Sequence, residues 1–253
     1  MNRLEGLTAV VTGAGQGIGR GIALALAKEG AAVALAGRTG AKVESVLGEF
    51  ASFDGRGIAV ECDVEDPLQI DELVARTAAR FGRLDIVVNN AQSLAPNRKL
   101  VDVTVEDIET TWRSGALGSF HLMQAAFPHL KVRGGSVVNF GSNTALEGTP
   151  LFGAYAMAKE GIRALSRVAA REWGRYGIRV NVLCPFGESP SAREFNERRP
   201  EAAASILRST PLGRIGDCED DIGRAVVALV SPDLDYLTAA TLMIDGGLTM
   251  LRA

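Results

Sequence analysis

The chain predicts a doubly wound α/β fold, a parallel sheet with helices on both faces. Three observations predict it. Short apolar runs alternate with longer helix-like stretches along the 253 residues. Those runs are apolar nearly throughout, as strands buried on both faces are. A glycine-rich turn separates the first run from the first helix, where a parallel sheet of this kind receives a ligand. A chain of this length buries a sizeable core, and one domain over 1–253 is expected.

The elements follow in order. The apolar run 7–12 leads into Thr12-Gly-Ala-Gly-Gln-Gly-Ile-Gly19, which opens a helix over 18–29. Glycine serves where φ is positive or where backbone must approach a ligand closely. A helix N-terminus offers unpaired N–H groups and partial positive charge to a phosphate. The second run, 32–36, ends in Ala36-Gly37-Arg38-Thr39 before a helix at 40–50. An acidic residue about 20 positions past the glycines would hold ribose hydroxyls, as in NAD-binding folds. Here no carboxylate stands at that strand end. Arg38 can instead pair with a 2′-phosphate through its planar fork, which favours NADP(H) over NAD(H).

The third run, 57–61, is followed by Asp63-Val64 and a helix at 67–81. The fourth, 84–89, ends in Asn89-Asn90-Ala91, and one long helix is expected over 104–130. The fifth, 136–140, leads to Ser142, and a helix at 152–175 carries Tyr155 and Lys159. The sixth, 178–183, precedes Pro185; a helix at 218–230 and a last strand at 241–244 close the chain. Between them, 186–212 shows no strand and is rich in Pro, Arg, Glu and Ser. Segments this long inside compact folds are functional lids or partly helical insertions, and this one follows a strand ending at the crevice. A substrate-covering lid is expected.

Tyr155 and Lys159 carry the chemistry. Positions i and i+4 share a helix face, so the ammonium is expected beside the phenol. A free tyrosine, with a pKa of about 10, is a poor base at neutral pH. A nearby cation lowers that pKa. With Ser142 offering its hydroxyl to the same substrate oxygen, the trio suits interconversion of an alcohol and a carbonyl.

Composition narrows the classes. Hydrophobic residues make up 47% and the formal net charge is −3, so neither disorder nor a nucleic-acid partner is indicated. Cys62, Cys184 and Cys218 follow no ligand spacing and read as reduced thiols of a cytoplasmic protein. The N-terminal residues do not resemble a signal peptide. The apolar stretch 22–36 is broken by Lys28, Glu29 and Gly30, so no membrane span is expected. His121 and His129 lack metal-ligand companions, no metal site is expected, and Trp112 and Trp173 read as packing residues.

With TGxxxGxG, Ser142, Tyr155 and Lys159 in this order, the chain resembles the short-chain dehydrogenase/reductase family over nearly its whole length. It is most similar to the branch of 3-oxoacyl-carrier-protein reductases and many alcohol, sugar and steroid dehydrogenases. Asn89-Asn90-Ala91 resembles the family's NNAG, Arg179–Pro185 the strand before its substrate loop, and Ile244-Asp-Gly-Gly247 its last strand. The Tyr-x-x-x-Lys spacing argues against the enoyl-reductase branch.

The resemblance implies a Rossmann domain with a seven-stranded parallel sheet. It implies Tyr155 as acid/base, Lys159 lowering its pKa and binding the nicotinamide ribose, and Ser142 holding the substrate oxygen. It implies Gly13, Gln16, Gly17, Ile18, Gly19, Arg38, Asp63, Val64, Asn90, Ala91 and Pro185 as further cofactor contacts, Asp63-Val64 on the adenine side. A small-molecule carbonyl or alcohol substrate and a homo-oligomer, tetramer or dimer, are implied as well.

The chain departs from the family in three places. Gln92 replaces the glycine of NNAG, and its amide either reaches cofactor or substrate or points outward. The family's catalytic asparagine, which holds a water of a proton relay, falls on Gly115. Glycine inside a helix costs up to ~1 kcal/mol relative to alanine, which suggests room for substrate, a water or a helix distortion. Pro185-Phe186-Gly187 replaces Pro-Gly, and Pro190, between Ser189 and Ser191, stands where a threonine usually meets the nicotinamide. These departures support an alternative, a non-catalytic nucleotide-binding or regulatory protein that keeps the fold.

Overall fold

The structure is a computed structural model in which residues 2–249 are described. Seven strands form one parallel sheet in the order β3-β2-β1-β4-β5-β6-β7. They are β1 (Thr8–Thr12), β2 (Ala32–Gly37), β3 (Arg56–Glu61), β4 (Ile86–Asn89), β5 (Gly135–Phe140), β6 (Ile178–Pro185) and β7 (Thr241–Ile244). The register runs Val10 against Ala34 on one side and against Val87 on the other.

Both faces of the sheet are covered. On one, Ala9 and Val11 pack with α1 (Gly17–Lys28), α2 (Gly40–Glu49) and α10 (Arg224–Val230). On the other, Val10 and Val87 pack with α3 (Pro67–Phe81), α5 (Gly118–Leu130) and α7 (Gly153–Trp173). This two-sided burial is why the strands read as continuous apolar runs. After β1 the chain winds outward to β2 and β3, then returns to place β4 on the other flank of β1. At that reversal the C-terminal ends of β1 and β4 part and leave a crevice.

Local chemistry sets the helix ends. α3 begins at an Asp66 cap with Pro67 behind it and stops at Gly82, whose φ is 75°. α4 (Val105–Trp112) starts with a capping box between Thr104 and Asp107.

Two expectations from sequence change. The helix over 104–130 is continuous but widens to π winding at Arg113–Leu117, between α4 and α5. Gly118 follows directly, and a Cβ there would sit 2.9 Å from the Val64 carbonyl oxygen. The helix thus passes close to the β3–α3 connection, and Gly115 lies within the widened stretch. The stretch 218–230 likewise opens as a π turn, Cys218–Gly223, before α10. It lies on α1 backbone to backbone: a Cβ at Gly21 would fall 2.2 Å from the Cys218 carbonyl oxygen. The segment 186–212 holds two helices, α6 (Asn143–Leu146) having come earlier: α8 (Pro190–Arg198) and α9 (Pro200–Ser209). Each starts on a proline, and Ser189 caps the first by accepting from the Ala192 amide.

Candidate active site at the sheet's switch point

The crevice between β1 and β4 has a volume of about 330 Å³. Gly13, Gln16, Gly17, Ile18, Gly19, Arg38, Asp63, Val64, Asn90 and Ala91 all line it. Gly13 and Gly17 take φ of 65° and 55°, where other residues are strained. A Cβ at Gly19 would lie 2.2 Å from the Gly13 carbonyl oxygen, so only glycine lets α1 start this close to the turn. Thr12 ties the two strand ends together. Its Oγ1 accepts from the Asn90 and Ala91 amides (3.0 and 3.1 Å), and Asn90 Nδ2 donates back to Thr12 O (2.9 Å). Backbone N–H groups at the start of α1 thus face a preformed cradle that a dinucleotide's diphosphate fits.

At the β2 end of the crevice the charge is positive. Arg38 is exposed at the rim, and Lys42, one turn into α2, bonds Gln16 Oε1 through its ammonium (3.0 Å). Asp63 is the one carboxylate among the described residues lining the crevice. Lys42 was missed from sequence, although its place four residues after Arg38 was readable.

Ser142, Tyr155, Lys159 and Pro185 do not belong to that lining. Pro185 ends β6. Ser142 ends the β5 extension and caps α6, accepting from the Thr144 amide (3.2 Å), and its hydroxyl pairs with Thr144 Oγ1 (2.7 Å). Tyr155 is half-buried with its ring edge-on to Phe152. Lys159 is 5% exposed and donates from Nζ to Phe140 O (2.9 Å). Its Nζ lies 5.5 Å from the centre of the Tyr155 ring, so helix spacing does bring the two together.

Burial holds the Tyr155 phenol above its ordinary value, and the Ser142 hydroxyl opposes this only in part. The Lys159 ammonium donates to the Phe140 carbonyl rather than to the phenolic oxygen. Burial pulls Lys159 itself down to about 8, against a smaller opposite influence of the Cys184 thiol.

Gln92 turns inward. Its Nε2 donates to Thr111 O (3.0 Å), and its amide occupies the space beside Gly115. The glycine is therefore matched to a neighbouring side chain and coincides with the π turn. Ser93 and Ser114, both crevice residues that the sequence did not point to, are joined by a hydrogen bond from the Ser93 amide to Ser114 Oγ (2.9 Å).

A parallel sheet of this order with a glycine cradle at its reversal point defines a Rossmann-type nucleotide-binding fold. A family model described as Enoyl-(Acyl carrier protein) reductase matches residues 13–249. A 12α-hydroxysteroid dehydrogenase from Clostridium sp. is 41% identical, with 98% of each chain covered. A 3-oxoacyl-[acyl-carrier-protein] reductase from Thermotoga maritima is 33% identical over 98% of this chain and all of that one, 100%. The crystal structure of levodione reductase superposes with a TM-score of 0.91 at 29% identity, covering 96% of this chain and 98% of that one. The chain belongs to the short-chain dehydrogenase/reductase family and is a short-chain, NAD(P)-dependent oxidoreductase. Among the described residues no helix is long and apolar enough to cross a membrane.

Proposed function

We propose that the protein is an NADP(H)-dependent oxidoreductase that interconverts a carbonyl and a secondary alcohol, with Tyr155 as acid/base. The observation that carries this reading is the meeting of the Tyr155 phenol, the Lys159 ammonium and Ser142 at the C-terminal end of the sheet. The residues fit the cofactor. Gly13, Gly17 and Gly19 form a cradle that side chains would fill, and the α1 N-terminus faces it. Arg38 and Lys42 supply the charge for a 2′-phosphate, which favours NADP(H) over NAD(H). Asp63 and Val64 sit on the adenine side, and Asn90, Ala91 and Pro185 on the nicotinamide side.

The bound nicotinamide supplies or takes the hydride. The protein's part is the proton. A phenol held above its ordinary value is protonated at pH 7 and acts as the acid when a carbonyl is reduced. Its Oη gives the proton to the carbonyl oxygen and is left as phenolate; in the reverse direction the phenol first gives up its proton, and the phenolate takes one from the alcohol. Ser142, now paired with Thr144, turns its hydroxyl to the same oxygen. Lys159 keeps a cation behind the ring. The segment 186–212, within one domain over 1–253, covers the substrate. Exposed Leu117, Phe120, Met157 and Val168 on the long helices suit a homo-oligomer, tetramer or dimer. The free cysteines fit the cytoplasm.

The test is oxidation of NADPH at 340 nm with a panel of ketones, 12-oxosteroids, β-ketoacyl thioesters and an enoyl thioester. Tyr155→Phe is expected to lose at least ~10²-fold in kcat. Full activity in that variant refutes the acid/base assignment. Tight NADPH binding without turnover anywhere on the panel points instead to a non-catalytic nucleotide-binding protein.

A further inference from the structure

Gln92 stands two residues past Asn90, where the chain leaves β4. From Gln92 a chain of contacts leads to Tyr155. The Gln92 amide donates to Thr111 O (3.0 Å), on the last turn of α4 before the winding widens. The Thr111 hydroxyl has one proton and three carbonyls in reach. Two belong to its own helix, Asp107 and Ile108 (3.2 and 3.0 Å), and the third is Ala154 of α7 (3.1 Å). Ala154 directly precedes Tyr155. One amide and one hydroxyl therefore connect the cofactor-side strand end to the helix that carries the phenol. A second strap runs alongside: the Ser93 amide donates to Ser114 Oγ (2.9 Å), which donates to Thr110 O (2.8 Å).

Position 115 depends on the same amide. A Cβ at Gly115 would lie 2.7 Å from Gln92 Nε2 and 2.8 Å from Oε1. Any side chain there has to displace the glutamine amide from its present place. The amide's orientation is settled by its partner, since the reverse would set oxygen against the Thr111 oxygen. Oε1 then faces the space beside Gly115, buried and without a hydrogen-bond partner among the described residues.

We propose that Gln92 is a positioning residue of the active site: its amide holds Thr111, through Thr111 it sets Ala154 and Tyr155, and it requires glycine at 115. This role rests on the reading of Tyr155 as acid/base. Two features of the sequence that look unrelated, a glutamine after β4 and a glycine inside a long helix, become parts of one arrangement.

The experiment is a double-variant cycle of Gln92→Ala and Gly115→Ala. It follows kcat on the best panel substrate, NADPH Kd by cofactor fluorescence, and Tm without cofactor. Each single variant breaks the same hydrogen bond. Each is expected to lower kcat at least ~10-fold while NADPH Kd stays within about threefold. The double variant is expected to fall no further than the worse single, because the bond can be lost only once. In the apo protein, Gly115→Ala should raise Tm by about 3 °C when residue 92 is alanine, from the gain in helix propensity. With Gln92 present that gain should vanish. If Gln92→Ala does not fold, Gln92→Met keeps the bulk without the donor and carries the same kcat test.

Multiplying losses in the double variant, a wild-type kcat in Gln92→Ala, or equal losses of kcat and NADPH affinity would overturn the proposal. A wild-type protein that turns over nothing loses the dehydrogenase reading, and this positioning role with it. Thermal coupling seen in that case would identify a packing contact only.

Discussion

Replacing Lys159 with methionine is expected to stabilise the apo protein while abolishing its chemistry. The ammonium is 5% exposed, and burial brings its pKa from 10.5 to about 8. At about 1.4 kcal/mol per pH unit, that shift amounts to roughly 3 kcal/mol of instability carried by the charged form. Methionine removes it but leaves Phe140 O without the donor it now has, at a cost of about 1–2 kcal/mol. The net gain at pH 7 is about 2 kcal/mol, or roughly 4–8 °C in Tm for a chain of this size.

The pH dependence separates this cause from simple repacking. Below pH 8 the amine is charged in both folded and unfolded chains, and the penalty is complete. Between pH 8 and 10.5 the folded protein releases the proton while the unfolded chain keeps it, so wild-type stability rises with pH relative to the variant. Near pH 10.5 the penalty is gone, and the variant should be less stable by the ~1–2 kcal/mol of the lost hydrogen bond. Urea unfolding of both proteins from pH 6 to 10.5, at one protein concentration, measures the crossover. A stability difference that does not change with pH, or a variant already less stable at pH 7, refutes the reasoning.

Other substitutions test other parts of the molecule. Removing Arg38 or Lys42 by alanine should raise KM for NADPH about 10- to 100-fold, the worth of one charge-assisted hydrogen bond, and leave KM for NADH nearly unchanged. Equal changes for both cofactors would count against a 2′-phosphate site. Asp85 stands before β4, 6% exposed, accepting from the Thr8 amide (2.9 Å) and gripped by Arg83 through two nitrogens (2.7 and 2.8 Å). Asp85→Ala leaves a buried amide unpaired and is expected to cost about 3 kcal/mol, lowering Tm by roughly 6–12 °C. A melt within 2 °C of wild type would show that the Thr8 amide finds another partner.

Much of the fold is legible in the sequence, for identifiable reasons. The strands are buried on both faces, so they appear as apolar runs. Their bounds agree with the structure to within two residues, as at 84–89 against Ile86–Asn89. The i, i+4 placement of Tyr155 and Lys159 is a property of any helix. Of the two π turns, the one at Arg113–Leu117 is signalled by Gly115, while the one at Cys218–Gly223 has no local signature and lies against Gly21, distant in sequence. The helices of 190–209 carry start signals in Ser189-Pro190 and Pro200, while their charged composition leaves only a partly helical insertion to be read from the sequence. Tyr155 shows another limit. A neighbouring cation can be read from spacing, but the depth at which the phenol is buried cannot, and depth decides the direction of its pKa. Gln92 could be seen to depart from the pattern, though not to fold back on Thr111.

The contact between α1 and Cys218–Gly223 bears on the order in which the site comes into being. The glycine cradle is near the start of the chain, yet the surface that fixes its helix arrives about 200 residues later. Gly21 and Gly223 let the two backbones touch, and Lys28 pairs with Glu219 across the same seam. During synthesis β1 and α1 emerge early but cannot be clamped until residues 218–223 have left the ribosome. Such distant contacts form late and slow folding. A chain cut short before residue 218 would carry the full phosphate-binding motif and still lack the clamp that keeps it in shape.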